Sequence, residues 1–211
     1  MRIPTLVSTA VILALLGPMA ISGQSWPEGW NVRADRAGAN LAEIFFETMA
    51  PGHHVTTGPA AIFWREGDEA AGRYQVEFDA YLFDPEGRRE AYGVFVGGRD
   101  LTGAGQSYTY FLIRDGGQFL VKERDGAETP TLVGWTSHPA ILGWADRGEG
   151  EATVLNRLRV EADDDEIRLY ANDAHLTSIS REGRGEGIAG MRVNHGLDLH
   201  VARLAVLPLQ R

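Results

Sequence analysis

The chain has 211 residues, no cysteine and a formal net charge of −9. Without cysteine there are no disulfides, thiol nucleophiles or thiolate metal sites. The acidic balance argues against nucleic acid and against anionic membrane surfaces as partners, because both need a basic protein surface. The length is sufficient for one domain with its own hydrophobic core.

The first residues have the order of a secretory signal peptide. Arg2 supplies a positive charge, residues 6–16 form an apolar run of eleven residues, and Gly17 and Pro18 end it. A membrane-spanning helix needs about 20 apolar residues. The run therefore predicts export and removal of the segment, not a permanent anchor.

Small residues after the apolar run mark the expected cleavage site. Ala20–Ser22 place small side chains at the −3 and −1 positions of a cut before Gly23, and a cut before Gln24 is the alternative. We therefore expect residues 1–23 to be the signal peptide and residues 24–211 to be a single mature domain. The predicted location is secreted or periplasmic, with no membrane attachment after cleavage.

Alternation of apolar and polar residues predicts half-buried β-strands along most of the chain. In chain order, strands are predicted at Trp30–Arg33, Glu43–Thr48, Ala60–Trp64, Tyr74–Leu82, Ala91–Val96, Tyr108–Arg114, Gln118–Arg124, Thr131–Thr136, Thr153–Ala162, Glu166–Ala171, His175–Ser180, Gly187–Val193 and Leu197–Leu207. A short helix competes only within residues 41–49. Many short strands separated by turns are typical of a sandwich or barrel, so we predict an all-β fold.

The longest irregular stretch is predicted between residues 137 and 151, and it contains His138 and Trp144. Long loops without secondary structure are uncommon in compact domains and often carry function. Trp144 is therefore a candidate binding residue at the rim of the domain.

Six short motifs occur in an order that is typical of one group of proteins. They are Tyr74–Asp79 (YQVEFD), Tyr92–Gly98 (YGVFVGG), Tyr110–Phe119 (YFLIR and GQF), Asn156–Val160 (NRLRV), Ile167–Asn172 (IRLYAN) and Gly187–Val193 (GIAGMRV). The ordered set resembles bacterial exported proteins with a concanavalin A-like or laminin G-like sandwich, including the 3-keto-disaccharide hydrolase domain group. This resemblance implies a two-sheet antiparallel jelly-roll sandwich.

The chain departs from the hydrolases of this group at two places. It has Ala91-Tyr-Gly93 where they usually have Asn-Ser-Gly, and Tyr108-Thr-Tyr110 where they have a Glu-x-Gln pattern. A Glu-x-Asp-x-x-Glu glucanase motif begins at Glu77 but fails at Leu82, which occupies the position of its last glutamate. No catalytic residue is therefore assigned.

Metal and cofactor motifs give no assignment either. The acidic run at residues 163–166 lacks the spacing of a Ca²⁺-binding loop and fits a solvated turn. His53 and His54 are adjacent, so on a strand they point to opposite faces and do not chelate one ion. We expect no cofactor and no metal.

Outward positions of the predicted strands carry aromatic and charged side chains suited to sugar recognition. The candidate ligand-binding residues are Glu77, Asp79, Tyr81, Tyr110, Arg114 and Trp144. Ordinary sheet surfaces are also rich in Tyr and Arg, and the pattern does not say which sheet each strand joins. Trp64 and Trp135 are further candidates for stacking on a sugar ring.

Three functions fit these observations. The first is an extracytoplasmic carbohydrate-binding sandwich without a demonstrable catalytic motif. The second is a glycan-active enzyme of the 3-keto-disaccharide hydrolase type, and the third is a structural or adhesion module. Fold alone does not decide among them, and the identity of a ligand and the oligomeric state stay open.

Overall fold

The computed structural model describes residues 25–209, and it is built almost entirely of β-strands. The strands are β1 Trp30–Ala34, β2 Phe45–Thr48, β3 His53–Thr56, β4 Ala61–Ala70, β5 Tyr74–Leu82, β6 Ala91–Arg99, β7 Ser107–Arg114, β8 Gln118–Asp125, β9 Thr131–Ser137, β10 Val154–Ala162, β11 Glu166–Ala171, β12 Ala174–Ser180, β13 Gly187–Val193 and β14 Asp198–Pro208. Short 3-10 turns occur at Leu41–Glu43 and Trp144–Asp146. The predicted signal peptide lies outside the described residues.

The strands form two antiparallel sheets of seven strands each. Sheet A has the order β1-β4-β13-β6-β7-β8-β9, and sheet B has the order β12-β11-β10-β5-β14-β3-β2. β13 lies between β4 and β6 in sheet A, and β14 lies between β5 and β3 in sheet B. The last two strands of the chain therefore complete one sheet each. The predicted two-sheet antiparallel sandwich is confirmed.

The main hydrophobic core lies between the two sheets. β5 supplies Val76, Phe78, Ala80 and Leu82, each at most 2% exposed, and its alternate residues face away. Sheet A contributes the inward side chains of β7, Phe111 among them. Because strand side chains alternate between faces, burial also alternates along β10 and β11.

A second apolar cluster lies on the outer face of sheet A. Its members are Ile62, Trp64, Ala91, Phe95, Leu101, Tyr108, Tyr110, Leu112 and Leu120. Arg33 holds the connection between β6 and β7 on this side by donating to the carbonyl oxygens of Leu101 (2.6 Å) and Gly103 (2.7 Å). The middle of sheet A is therefore buried on both faces, as the nearly unbroken burial of β7 shows, whereas the edge strand β9 is mostly exposed.

The sequence did not predict β3. Within this strand the adjacent residues His53 and His54 point to opposite faces, as expected. The His53 ring contacts Trp30 and Phe46, and His54 Nε2 lies 2.9 Å from a carboxylate oxygen of Asp198. Within residues 25–209, no group of three or more His, Cys, Asp or Glu side chains is placed to hold a metal ion. None of the helices in this range is long and apolar enough to cross a membrane.

Candidate functional site

The structure divides the five predicted site residues that lie on strands between the two sides of the sandwich. Glu77, Asp79 and Tyr81 lie on β5 of sheet B, whereas Tyr110 and Arg114 lie on β7 of sheet A. Both sets face away from the core between the sheets. They therefore cannot form the single patch that a common outward orientation suggested.

On sheet B the predicted carboxylates are paired with arginines of the neighbouring strands. Glu77 lies 2.5 Å from the Arg203 guanidinium, and Asp79 lies 3.9 Å from that of Arg157. Tyr81 packs near the His200 ring, with 6.0 Å between centroids. Such cross-strand ion pairs are a common feature of solvated sheet faces and contribute about 0–1 kcal/mol each. Glu77 and Asp79 thus have the properties of sheet-surface residues and are not a free acid pair.

Tyr110 does not offer an open ring for stacking. Its side chain is 5% exposed, and the Arg192 guanidinium lies over the ring, 4.9 Å from its centroid. β7 lies inside sheet A between β6 and β8, and Leu101 packs in the same outer cluster as Tyr110. The expectation that Tyr110 is a free surface aromatic is therefore wrong, because tertiary packing covers an outward position.

Arg114, at the end of β7, belongs to an exposed aromatic group. Its guanidinium stacks over the Trp135 ring, 3.8 Å from the centroid, and it donates to Gln118 Oε1 from Nε at 3.0 Å and from Nη2 at 2.5 Å. Gln118 in turn donates to Ser137 Oγ at 3.2 Å. Trp135 is 40% exposed on the edge strand β9. A flat indole is thus held next to several hydrogen-bonding groups.

Trp144 lies at the same end of the sandwich as Arg114. Its backbone N–H donates to Asp115 Oδ1 at 2.7 Å, and Asp115 directly follows Arg114. The Arg147 guanidinium lies over the Trp144 ring at 4.1 Å and donates to the Trp144 carbonyl at 2.8 Å. We call Arg114, Gln118, Trp135, Trp144 and Arg147 the tryptophan rim. Two of the six predicted residues, Arg114 and Trp144, belong to it, and the Trp144 ring is partly buried against the core between the sheets.

A buried asparagine fixes the loop that carries Trp144. Asn156 is fully buried; its Oδ1 accepts from Leu142 N at 2.9 Å, and its Nδ2 donates to Leu142 O at 2.9 Å. Asn172 Nδ2 donates to the same Oδ1 at 2.9 Å and to Ala140 O at 2.7 Å. Both asparagines belong to motifs noticed in the sequence. Their pattern therefore marks residues that anchor the loop.

The rim carries positive charge. Partial burial, and then the nearby Arg89 guanidinium, lower the pKa of Arg114 from its ordinary value, but an arginine remains cationic at neutral pH. Burial raises the pKa of the Tyr92 hydroxyl, to which Asn156 donates, and that phenol is neutral. The arrangement offers apolar ring surface together with fixed hydrogen-bond donors and an amide.

Sequence reasoning listed Trp135 as a stacking candidate but did not connect it with Arg114. It also missed Gln118 and Arg147. The pairing of Gln118 with Ser137 becomes visible only when β8 and β9 are placed side by side. The corresponding signal in a sequence would be Arg and Gln on either side of a predicted hairpin turn, followed by Trp in the next predicted strand.

No family model and no curated protein matches the chain. Among solved structures it is similar to the carbohydrate-binding module CBM66 from Bacillus subtilis, with a TM-score of 0.60 and 12% identity over 85% of this chain and 95% of that one. It is also similar to a glycoside hydrolase family 16 endo-glucanase from Bacteroides ovatus, with a TM-score of 0.60 and 7% identity over 87% and 97% of the two chains.

A protein of unknown function with a galectin-like fold from Bacillus subtilis is a third similar structure. Its TM-score is 0.59, and the identity is 10% over 86% of this chain and 90% of that one. At sequence identities this low, the structural similarity establishes the fold and leaves the activity open. The protein is a jelly-roll sandwich of the concanavalin A-like kind.

Proposed function

We propose that this protein is an exported carbohydrate-binding sandwich and that its ligand binds at the tryptophan rim. The observation that carries the proposal is the pair of indoles, Trp135 and Trp144, each stacked by an arginine at one end of the sandwich. Gln118 adds an amide beside them. The similarity in fold to a carbohydrate-binding module supports the proposal without deciding it.

The chemistry of a sugar ring suits this arrangement. One face of many pyranose rings is apolar and packs on an indole, which contributes about 25 cal/mol for each Å² removed from water. The arginine side chains supply donors for the hydroxyl groups around the ring. Because the stacked guanidiniums already hold the indoles, less side-chain entropy is lost on binding.

Removal of the Trp135 ring tests the site. In a glycan array followed by calorimetry with the best ligand, Trp135→Ala is expected to weaken binding at least tenfold, which corresponds to about 1.4 kcal/mol. The matched control is Phe45→Ala, because Phe45 is a 51% exposed aromatic on the edge strand β2 of the other sheet. This variant is expected to bind like the wild type.

Two results would reject the carbohydrate-binding proposal in different ways. If the folded wild type binds nothing in a broad array, the structural or adhesion function replaces it. If the wild type cleaves a glycoside and Glu77→Gln stops the reaction, the protein is a glycan-active enzyme. Equal losses in Trp135→Ala and Phe45→Ala would show that the rim is not the site.

Export has its own test. When the full chain is produced in a bacterium with a general secretion system, the product outside the cytoplasm is expected to begin at Gly23 or Gln24. Intact-mass measurement of that product and of the cytoplasmic fraction checks this. The substitution Val11→Lys, in the middle of the apolar run, should block processing. A wild-type product that retains Met1 would contradict the proposed export.

A further inference from the structure

A cleft of about 420 Å³ lies beside the start of β7, at the opposite end of this strand from the tryptophan rim. It is bounded by β1 and the segment that follows it, and by residues next to β7 and β8. Its charged and amide side chains are Arg33, Asp35, Arg36, Gln106 and Arg124, and we call it the arginine cleft. Three guanidinium groups thus line the cleft with one carboxylate.

Two of these guanidiniums converge on one neutral atom. The Gln106 amide oxygen, when turned toward them, accepts hydrogen bonds from Arg33 Nη2 at 3.3 Å and from Arg124 Nη2 at 3.1 Å and Nε at 3.2 Å. Gln106 is 4% exposed, so this acceptor is nearly removed from water. Like charges are held close together there, and an anion in the cleft would relieve their repulsion.

The single carboxylate of the cleft does not balance this charge, because it is already paired. Both oxygens of Asp35 accept hydrogen bonds from Arg192, whose side chain comes from β13. Among residues 25–209, Arg33, Arg36 and Arg124 form no ion pair with a carboxylate. The cleft is therefore locally cationic on a chain whose net charge is −9.

We propose that the arginine cleft binds the carboxylate groups of an acidic saccharide, such as one built from uronic acids. Arginine forks pair with carboxylates through two parallel hydrogen bonds, which neutral sugars cannot offer. The cleft has the volume of a small-molecule site and is much larger than one inorganic ion requires. This inference deepens the proposed carbohydrate binding and rests on it.

The two sites share the strand β7. The strand runs from Ser107, next to the cleft, to Arg114 in the rim. At about 3.3 Å per residue it separates them by roughly 20–25 Å. The cleft and the rim are therefore too far apart for one sugar unit to contact both, and a single acidic sugar is expected to occupy the cleft alone.

Calorimetry on the purified exported protein tests the assignment with three probes: tetragalacturonate, neutral cellotetraose and inorganic sulfate. Tetragalacturonate is expected to bind at least tenfold more tightly than either of the others, and its affinity should fall as salt is raised. Arg124→Gln is expected to weaken tetragalacturonate binding at least tenfold. The matched control is Arg157→Gln, because Arg157 is an exposed arginine on sheet B.

Arg36→Gln supplies a second test that does not depend on the buried part of the cleft. Arg36 is exposed, so its replacement is expected to leave the melting temperature unchanged and still weaken tetragalacturonate binding. The assignment is overturned if sulfate binds as tightly as tetragalacturonate, or if neither arginine variant differs from Arg157→Gln. Loss of neutral-glycan binding in Trp135→Ala reports on the rim independently, so the failures of the two proposals are distinguishable.

Discussion

Replacement of Asp35 by leucine is expected to lower the free energy of unfolding by about 3–5 kcal/mol, as the loss of one partner from a buried ion pair does. Asp35 binds both terminal nitrogens of Arg192, and Arg192 is 7% exposed. Burial alone would lower the pKa of Arg192, but the hydrogen bonds and charge of Asp35 overcome it and raise this pKa above its ordinary value. Without Asp35 the guanidinium would remain charged and unpaired.

The double variant Asp35→Leu with Arg192→Met separates this cause from a simple loss of packing. Because it removes both charges, its stability in urea unfolding is expected to return close to that of the wild type. Asp79→Leu is the surface control, since Asp79 is 3.9 Å from an arginine side chain that is 62% exposed. It should cost less than about 1 kcal/mol. Equal losses for Asp35→Leu and Asp79→Leu would mean that the Asp35 pair is effectively solvated.

Phe78→Ala is expected to cost about 3–5 kcal/mol in urea unfolding, because the lost ring would leave a cavity between the sheets. Phe78 is fully buried at the middle of β5, and its strand neighbours are Leu158 of β10 and Leu204 of β14. β5 is an interior strand of sheet B, so the surrounding chain has little freedom to collapse into the space.

Glu77→Ala is the matched control on the same strand. Glu77 faces outward and is paired with Arg203, whose side chain is 50% exposed. Its removal should cost no more than about 1 kcal/mol. The contrast between consecutive residues follows from the alternation of strand side chains. Similar losses at both positions would show that β5 does not divide core from surface as described.

Much of the fold follows from local patterns in the sequence. β5, β11 and β13 occur at the residues where alternation predicted them, because the period of two is imposed on each strand by its own backbone geometry. The turn at residues 115–117 was also predictable, since its Asp-Gly-Gly sequence is typical of tight turns. In the structure, Gly116 and Gly117 adopt positive φ angles of 84° and 72°. β3 escaped prediction because four residues with two histidines carry little apolar alternation.

The distribution of strands between sheets was decided by contacts between distant parts of the chain. β14 pairs with β5 and β3, and β13 pairs with β4 and β6. These hydrogen bonds join segments that are far apart in sequence, so no local period encodes them. The assignment of β5 to sheet B and of β7 to sheet A placed Glu77 and Arg114 on opposite sides of the molecule.

The sequence by itself determined the class of the fold, the inward residues of β5 and the position of the irregular loop that carries Trp144. Only the tertiary structure decided which outward residues meet solvent. Tyr110 and Arg114 have the same orientation on β7, yet packing in the outer cluster buries Tyr110, and the end of the strand leaves Arg114 beside Trp135. Alternation fixes the direction of a side chain, whereas its burial depends on what the rest of the chain places against it.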